Sequence, residues 1–199
     1  LASLGVGTIG IVDNDKVELS NLNRQIIYDI KDIGKYKVNI ARKKIKKINN
    51  KSKIKSYRIR LDKSNIEKLI KKYDIICDGT DNFETRFLIN DQSLKQKKVL
   101  ISAAVSGFEG HIFKFDFRRK TPCYRCFMPE DPGQHNNCDS LGVTPTITGI
   151  IGTLQANEVL NSILNFKSNM EKKLIVFNSI KMSFRKVNLS RNNNCKNKC

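Results

Sequence analysis

Short apolar runs alternate with helical stretches through residue 105, and that alternation leaves the chain few folds to choose from. The apolar runs are residues 7–13, Asp74–Asp78 and Val99–Val105, with a half-buried, alternating run at 54–61. Between them, Val38, Ala41, Ile45 and Ile48 recur at helical spacing over about 35–49. A second helix is predicted over 65–72, with Ser64 and Glu67 in the capping-box pattern, and a third over 83–95. Strands that alternate with helices predict an α/β fold: a Rossmann-like, right-handed, largely parallel sheet with helices on both faces.

The pattern changes after residue 105. Residues 110–117 alternate apolar and polar after a short Ser-Gly-Phe-Glu turn, which predicts an antiparallel partner for the strand before it. Residues 118–142 read as a long crossover loop, functional or mobile, holding three of the six cysteines and three of the four prolines. A helix over about 146–165 is apolar, and its Gly149 and Gly152 predict close packing on the sheet or on a neighbour. Residues 174–177 and 184–189 close the sheet as a β-hairpin, and 190–199 form a tail. The whole, 1–199, reads as one domain.

Composition adds exclusions. The formal charge is +18, but the excess is lysine scattered with asparagine and carries no interleaved aromatics, so a specific nucleic-acid surface is not expected. A basic surface would instead speed encounter with an acidic protein. No run of about 20 apolar residues is present, so no membrane span is expected. No signal-peptide pattern is visible, which reads as cytoplasmic. Leu1-Ala2-Ser3-Leu4 looks like the tail of a helix, so the chain is expected to begin mid-fold, and organellar targeting stays open.

Four groups of residues could carry chemistry. The first strand ends in Asp13 and Asp15, and a polar segment with Asn21, Arg24 and Gln25 follows. An acid at a strand end can accept from ribose hydroxyls, and a guanidinium can hold phosphate oxygens in two parallel bonds; the alternative is a surface turn. Lys37 opens a helix, where the N-terminal dipole favours phosphate. In Asp78-Gly79-Thr80-Asp81-Asn82, Asp81 could bind Mg²⁺ at the carboxyl edge of the sheet or cap the next helix. Cys123-x-x-Cys126 and Cys195-x-x-x-Cys199 could form a four-sulfur zinc site tying loop to tail, or remain thiols, or act as a redox pair. Cys138 is left over in the loop, a nucleophile or an incidental thiol. Cys77 reads as core and His111 as structural.

In order, these pieces resemble the ThiF/MoeB/HesA family, relatives of the ubiquitin-activating enzymes. The resemblance rests on residues 13–25 with their Ser-Asn-Leu-x-Arg-Gln core, Gly34-x-x-Lys37 and Asp78-x-Thr80-Asp81-Asn82. Pro122-Cys123-Tyr124-Arg125-Cys126, Asn137-Cys138 and residues 149–156 extend it over almost the whole chain, nearest to MoeB-like members. It implies ATP-dependent adenylation of the C-terminal glycine of a ubiquitin-like or sulfur-carrier protein ending in Gly-Gly. It also implies that Asp13 holds ribose and that Asn21, Arg24, Gln25 and Lys37 hold phosphates, with Arg24 and Lys37 catalytic. Asp81 would bind Mg²⁺, and Cys123, Cys126, Cys195 and Cys199 would bind zinc. Cys138 matches the cysteine that forms a thioester or acyl-persulfide in some members. A homodimer is implied, and sulfur delivery would need a separate sulfurtransferase. The family's first strand and Gly-rich G-x-G-x-x-G loop have no counterpart, since Gly5-Val6-Gly7 reads as a later turn. The competing readings are a carrier-docking subunit without catalysis, a nicotinamide-dependent oxidoreductase and a basic zinc module that binds nucleic acid.

Overall fold

A computed structural model describes residues 1–131, 142–168 and 170–199. The chain divides into two compact units, Leu1–Leu61 and Asp62–Cys199.

The first unit is a βαβ turn. Strand β1 (Thr8–Val12) runs parallel to β2 (Lys53–Tyr57), registered from Thr8 against Lys53 to Val12 against Tyr57. Helix α1 (Lys37–Ile48) makes the crossover and buries Val38 and Ala41 against Ile54 of the sheet. The ladder gains one more bond, Asp13 N–H to the Tyr57 carbonyl at 3.2 Å, and then ends. That is why the second strand stops at Tyr57 and not at Leu61 as the alternation predicted: β1 has no further partner to offer.

The second unit carries a five-stranded sheet in the order β3-β4-β5-β6-β7. β3 (Ile75–Asp78) is parallel to β4 (Val99–Ser106), with α3 (Phe83–Lys95) as crossover. β5 (Glu109–Asp116), β6 (Lys173–Asn178) and β7 (Ser183–Asn188) then add antiparallel. β4 is therefore the seam, parallel on one side and antiparallel on the other.

Alternation along β5 puts helices on both faces of this sheet. On one face, Phe113 meets the rings of Tyr124 and Phe127 from the short helix α4 (Tyr124–Phe127), and Tyr124 meets Phe87 of α3 at 5.8 Å. On the other, Gly110 and Lys114 face α5 (Pro145–Ile163). A Cβ on Gly110 would lie 2.2 Å from Ile151 Cγ1, so a side chain there would push the helix off the sheet. Lys114 Nζ and Glu158 Oε2 form a buried ion pair at 3.1 Å, completed by Ser168 Oγ at 2.7 Å and Asn161 Nδ2 at 3.0 Å.

Four expectations are corrected. The close approach of α5 to the sheet is made at Gly110, while Gly149 and Gly152 lie on its exposed side with nothing within 4 Å of a Cβ, so of the two packings expected for them the one on the sheet is corrected. Ser64 does not cap the second helix. The Asp62 carboxylate takes the Ser64 and Asn65 amides and the Ser64 hydroxyl first, and α2 (Ile66–Ile70) starts uncapped after Asn65. Cys77 is exposed, because β3 turns that side of the strand away from the core of its unit. The predicted loop contains the single-turn α4, where Tyr124 and Phe127 find apolar partners. Among the described residues, no helix is long and apolar enough to cross a membrane.

Candidate functional site

The polar cluster of the first unit sits at the carboxyl end of β1. Asp13 follows the strand directly, and one of its carboxylate oxygens accepts the Asp15 amide at 2.8 Å. Lys37 is the first residue of α1; its stem is buried, and its Nζ reaches Asp15 Oδ2 at 3.1 Å. The segment between them is a compact turn. Asn21 is buried and its Oδ1 accepts the Glu18 amide at 3.1 Å, so its side chain holds the turn. Its carbonyl accepts the Arg24 and Gln25 amides at 3.1 and 2.9 Å. Arg24 donates to the Ser20 carbonyl at 2.9 Å and to Asn23 Oδ1 at 3.1 Å. Gln25 Oε1 is buried and has no hydrogen-bond partner among the described residues. A bound molecule with a hydroxyl or amino donor would satisfy it, and a turned amide would present its NH₂ to a phosphate instead.

Tyr28 belongs to this cluster although nothing in its sequence neighbourhood singles it out. Its hydroxyl donates to the Lys37 carbonyl at 3.3 Å. Burial, reinforced by the negative charge of Asp13 and Asp32, pushes its pKa up to about 12. It is therefore a neutral donor at any working pH, and it ties the turn to the start of α1. Lys44 binds Asp29 at 2.8 Å and Asp32 at 2.6 Å, which fastens the same segment to the body of the helix.

In the second unit, Asp81 is exposed beyond β3. Its Oδ1 is reached by Asn82 Nδ2 at 3.3 Å, while Asn82 Oδ1 caps α3 by accepting the Thr85 amide at 2.9 Å. The cap is thus Asn82, and the Asp81 carboxylate faces outward, as a hard cation with a mostly aqueous shell requires. Beneath it lies a buried polar network. Asp78 accepts from Ser102 Oγ at 2.6 Å and from the Thr80 amide and hydroxyl at 2.9 and 2.7 Å. Arg86 Nε faces Asp78 at 3.4 Å as an ion pair without an aligned hydrogen bond, and its other nitrogen donates to the Thr80 carbonyl. Gln155 of α5 donates to the carbonyls of Asp78 and Ile101, both at 2.8 Å.

The four paired cysteines come together. Sγ–Sγ separations are 3.6 Å for Cys123–Cys195, 3.2 Å for Cys126–Cys199 and 3.8 Å for Cys195–Cys199, and all four sulfurs lie within 4.8 Å of one another. These distances are far beyond the ~2.05 Å of a disulfide. They approach the roughly 3.8 Å edge of a tetrahedron of sulfurs 2.3 Å from a common centre, which is the zinc geometry. Cys195 and Cys199 enclose one residue more than Cys123 and Cys126, and the tail accommodates it in turns closed by the Cys195 amide on the Asn192 carbonyl and the Lys198 amide on the Cys195 carbonyl, both at 2.9 Å. Burial pushes the Cys123 thiol up to about 11. Despite its burial, hydrogen bonds from its neighbours hold the Cys126 thiol below its ordinary value, and a cation would favour the thiolate form of all four. The donor set therefore fits a zinc ion. Cys138, with His135, lies outside the described residues.

A sheet that is parallel from β3 to β4 and antiparallel beyond it, with carboxylates just after strand ends and a knot of four thiols, defines a Rossmann-like α/β protein. The chain belongs to the ThiF family, which matches residues 1–197. It is 41% identical over 192 residues to a probable molybdopterin-synthase adenylyltransferase of Porphyra purpurea, covering 95% of this chain and 50% of that one. It is 33% identical over 201 residues to a sulfur carrier protein adenylyltransferase of Thermus thermophilus, covering 98% and 74%. In fold it matches Escherichia coli MccB, solved with ATP, with a TM-score of 0.82 at 20% identity over 100% of this chain and 60% of that one. The chain spans about half the length of the probable molybdopterin-synthase adenylyltransferases it matches.

Proposed function

We propose that the protein carries out ATP-dependent adenylation of the C-terminal glycine of a ubiquitin-like or sulfur-carrier protein ending in Gly-Gly. The observation that carries this reading is the cluster at the end of β1. Asp13, Lys37, Arg24 and the unsatisfied Gln25 are gathered at the position where open α/β sheets bind ligands. The names of the relatives, adenylyltransferases matched over 95% and 98% of this chain, support it.

In this reading a carboxylate oxygen of the carrier's terminal glycine attacks the α-phosphorus of ATP. The bond to the bridging oxygen breaks, pyrophosphate leaves, and an acyl-adenylate remains. The nucleophile is already an anion, so no base is needed, and the protein's task is positioning and charge neutralisation. Asp13 accepts from the ribose. Asn21 fixes the turn, and Arg24, Gln25 and Lys37 meet the phosphates. Lys37 is well suited: its present partner Asp15 is an exposed carboxylate, so a phosphate can replace or share it without stranding a buried charge. Asp81 would take Mg²⁺, which shields the phosphate oxygens. Cys123, Cys126, Cys195 and Cys199 would hold a structural zinc. Cys138 would serve any later thioester or persulfide step, with a separate sulfurtransferase delivering sulfur, and the working form would be a cytoplasmic homodimer.

The test is ATP–pyrophosphate exchange with a carrier ending in Gly-Gly. Exchange that depends on the carrier, and is lost when its last glycine is removed, is the expected result. Binding of ATP without any carrier-dependent exchange would leave a docking subunit in its place.

A further inference from the structure

The four thiols come from two arms about 70 residues apart, and the sulfurs alone do not explain how the arms meet without a metal. Helix α3 supplies the connection. Arg125, between Cys123 and Cys126, makes a forked pair with Asp91. Nε lies 2.8 and 3.0 Å from the two carboxylate oxygens, and Nη2 lies 2.8 Å from Oδ2. Asn197, between Cys195 and Cys199, donates its Nδ2 to Asp91 Oδ1 at 2.6 Å and lies 3.8 Å from Cys123 Sγ. Thus one carboxylate holds a residue enclosed by each cysteine pair. Its neighbour Asn90, completely buried, accepts the Tyr124 amide at 2.8 Å and donates to Asp91 at 2.9 Å. The Arg125 guanidinium also covers the Phe87 ring of the same helix at 4.3 Å, which fixes its plane.

We propose that Asp91 is the positioning residue of the four-cysteine site, a carboxylate on α3 that clamps Arg125 and Asn197 so that both thiol pairs face one metal ion. The proposal rests on reading the four cysteines as a metal site. A clamp of this kind acts through geometry and not through charge. An anion close to four thiolates opposes their ionisation, so Asp91 is not there to favour the metal electrostatically. What it gives is preorganisation: the arms are held at nearly tetrahedral sulfur spacing before the ion arrives. Its Oδ1 is shared between the arms and its Oδ2 is held by Arg125, so losing it frees both arms at once, while losing Asn197 frees only the tail.

The experiment measures zinc affinity of the full chain by competition with a chromophoric chelator. Cobalt(II) absorption reports how many thiolates coordinate. Partners that orient metal ligands typically contribute 10–100-fold in affinity. Asp91→Ala is therefore expected to weaken zinc by about that factor. Asp91→Asn, which keeps one acceptor for Arg125 and Asn197, should lose less, and Asn197→Ala should also fall between parent and Asp91→Ala. Circular dichroism of the metal-free proteins reports whether α3 survives. If Asp91→Ala does not fold, Asn197→Ala and Arg125→Gln decide, since each cuts one arm's link. An affinity unchanged within about twofold in the variants that fold, beside a parent that binds zinc with a four-thiolate cobalt spectrum, overturns the clamp alone. A parent that binds neither metal overturns both the metal reading and the clamp.

Discussion

The cluster at the end of β1 and the cysteine knot beside α3 are built on opposite plans. The first is local: residues 13–37 supply it, and apart from the Asp15–Lys37 pair its side-chain bonds span one to nine positions. The second is closed across the fold, by bonds spanning 34, 72 and 106 positions. A local turn can keep groups unsatisfied or exposed, as Gln25 and Asp15 are, because the backbone around them is already paired. Such groups remain available to a ligand. The network under Asp81, and the Asp91, Arg125 and Asn197 frame of the knot, spend most of their polar groups on one another, so they hold position; in the knot only the four thiols are left for a ligand.

That contrast can be broken most directly at Arg86. Replacing it with alanine leaves Asp78, buried under the Asp81 loop, without its cation. Removing one partner of a buried pair costs about 3–5 kcal/mol. Urea unfolding should show a loss of that size, and a loss below about 1 kcal/mol would mean that Ser102 and Thr80 suffice for Asp78. Lys37 should behave the other way. Lys37→Ala is expected to lower carrier-dependent ATP–pyrophosphate exchange by about 10²-fold, as removal of one charge-stabilising donor does elsewhere. Its unfolding midpoint should move little, since the partner it abandons is exposed. A large loss of stability with intact exchange would turn the comparison over.

The smallest effect concerns acid. Hydrogen bonds from Lys44 hold the Asp29 and Asp32 carboxyls below the ordinary carboxylate range. A carboxyl lowered on folding contributes stability that is complete above the unfolded value, about 4, and is lost as pH falls through the lowered one. Asp29 is exposed and Lys44 reaches solvent, which keeps the loss slight although Asp32 is buried. Lys44→Met should flatten the parent's decline in stability below about pH 4, and an unchanged decline would assign it to other carboxyls.

The sequence exposed the local plan more readily than the closed one. Helix α3 was predicted over 83–95 and is found at Phe83–Lys95, because Asn82 is a cap and the chain turns there. Its inward face was not legible. Arg86, Asn90 and Ser93 recur at helical spacing and look like a solvent stripe, yet they are buried. Polar residues reveal burial only when their partners are known, and here those partners are strands, loops and a tail far along the chain. The cysteines announced themselves as two pairs, but nothing near Asp91 or Asn197 in sequence hints that they meet. Cys77 misled for the converse reason: its apolar neighbours Ile75 and Ile76 suggested a core position for a thiol on the outward side of β3.

The knot also has a bearing on the unfolded chain. A metal ion gripping Cys123 and Cys195 would close a loop of about 72 residues that contains α5 and the β6–β7 hairpin. If the grip persisted like a covalent cross-link, it would deprive the unfolded ensemble of roughly 4 kcal/mol of conformational freedom. The antiparallel half of the sheet would then depend for its persistence on metal supply as much as on its own packing.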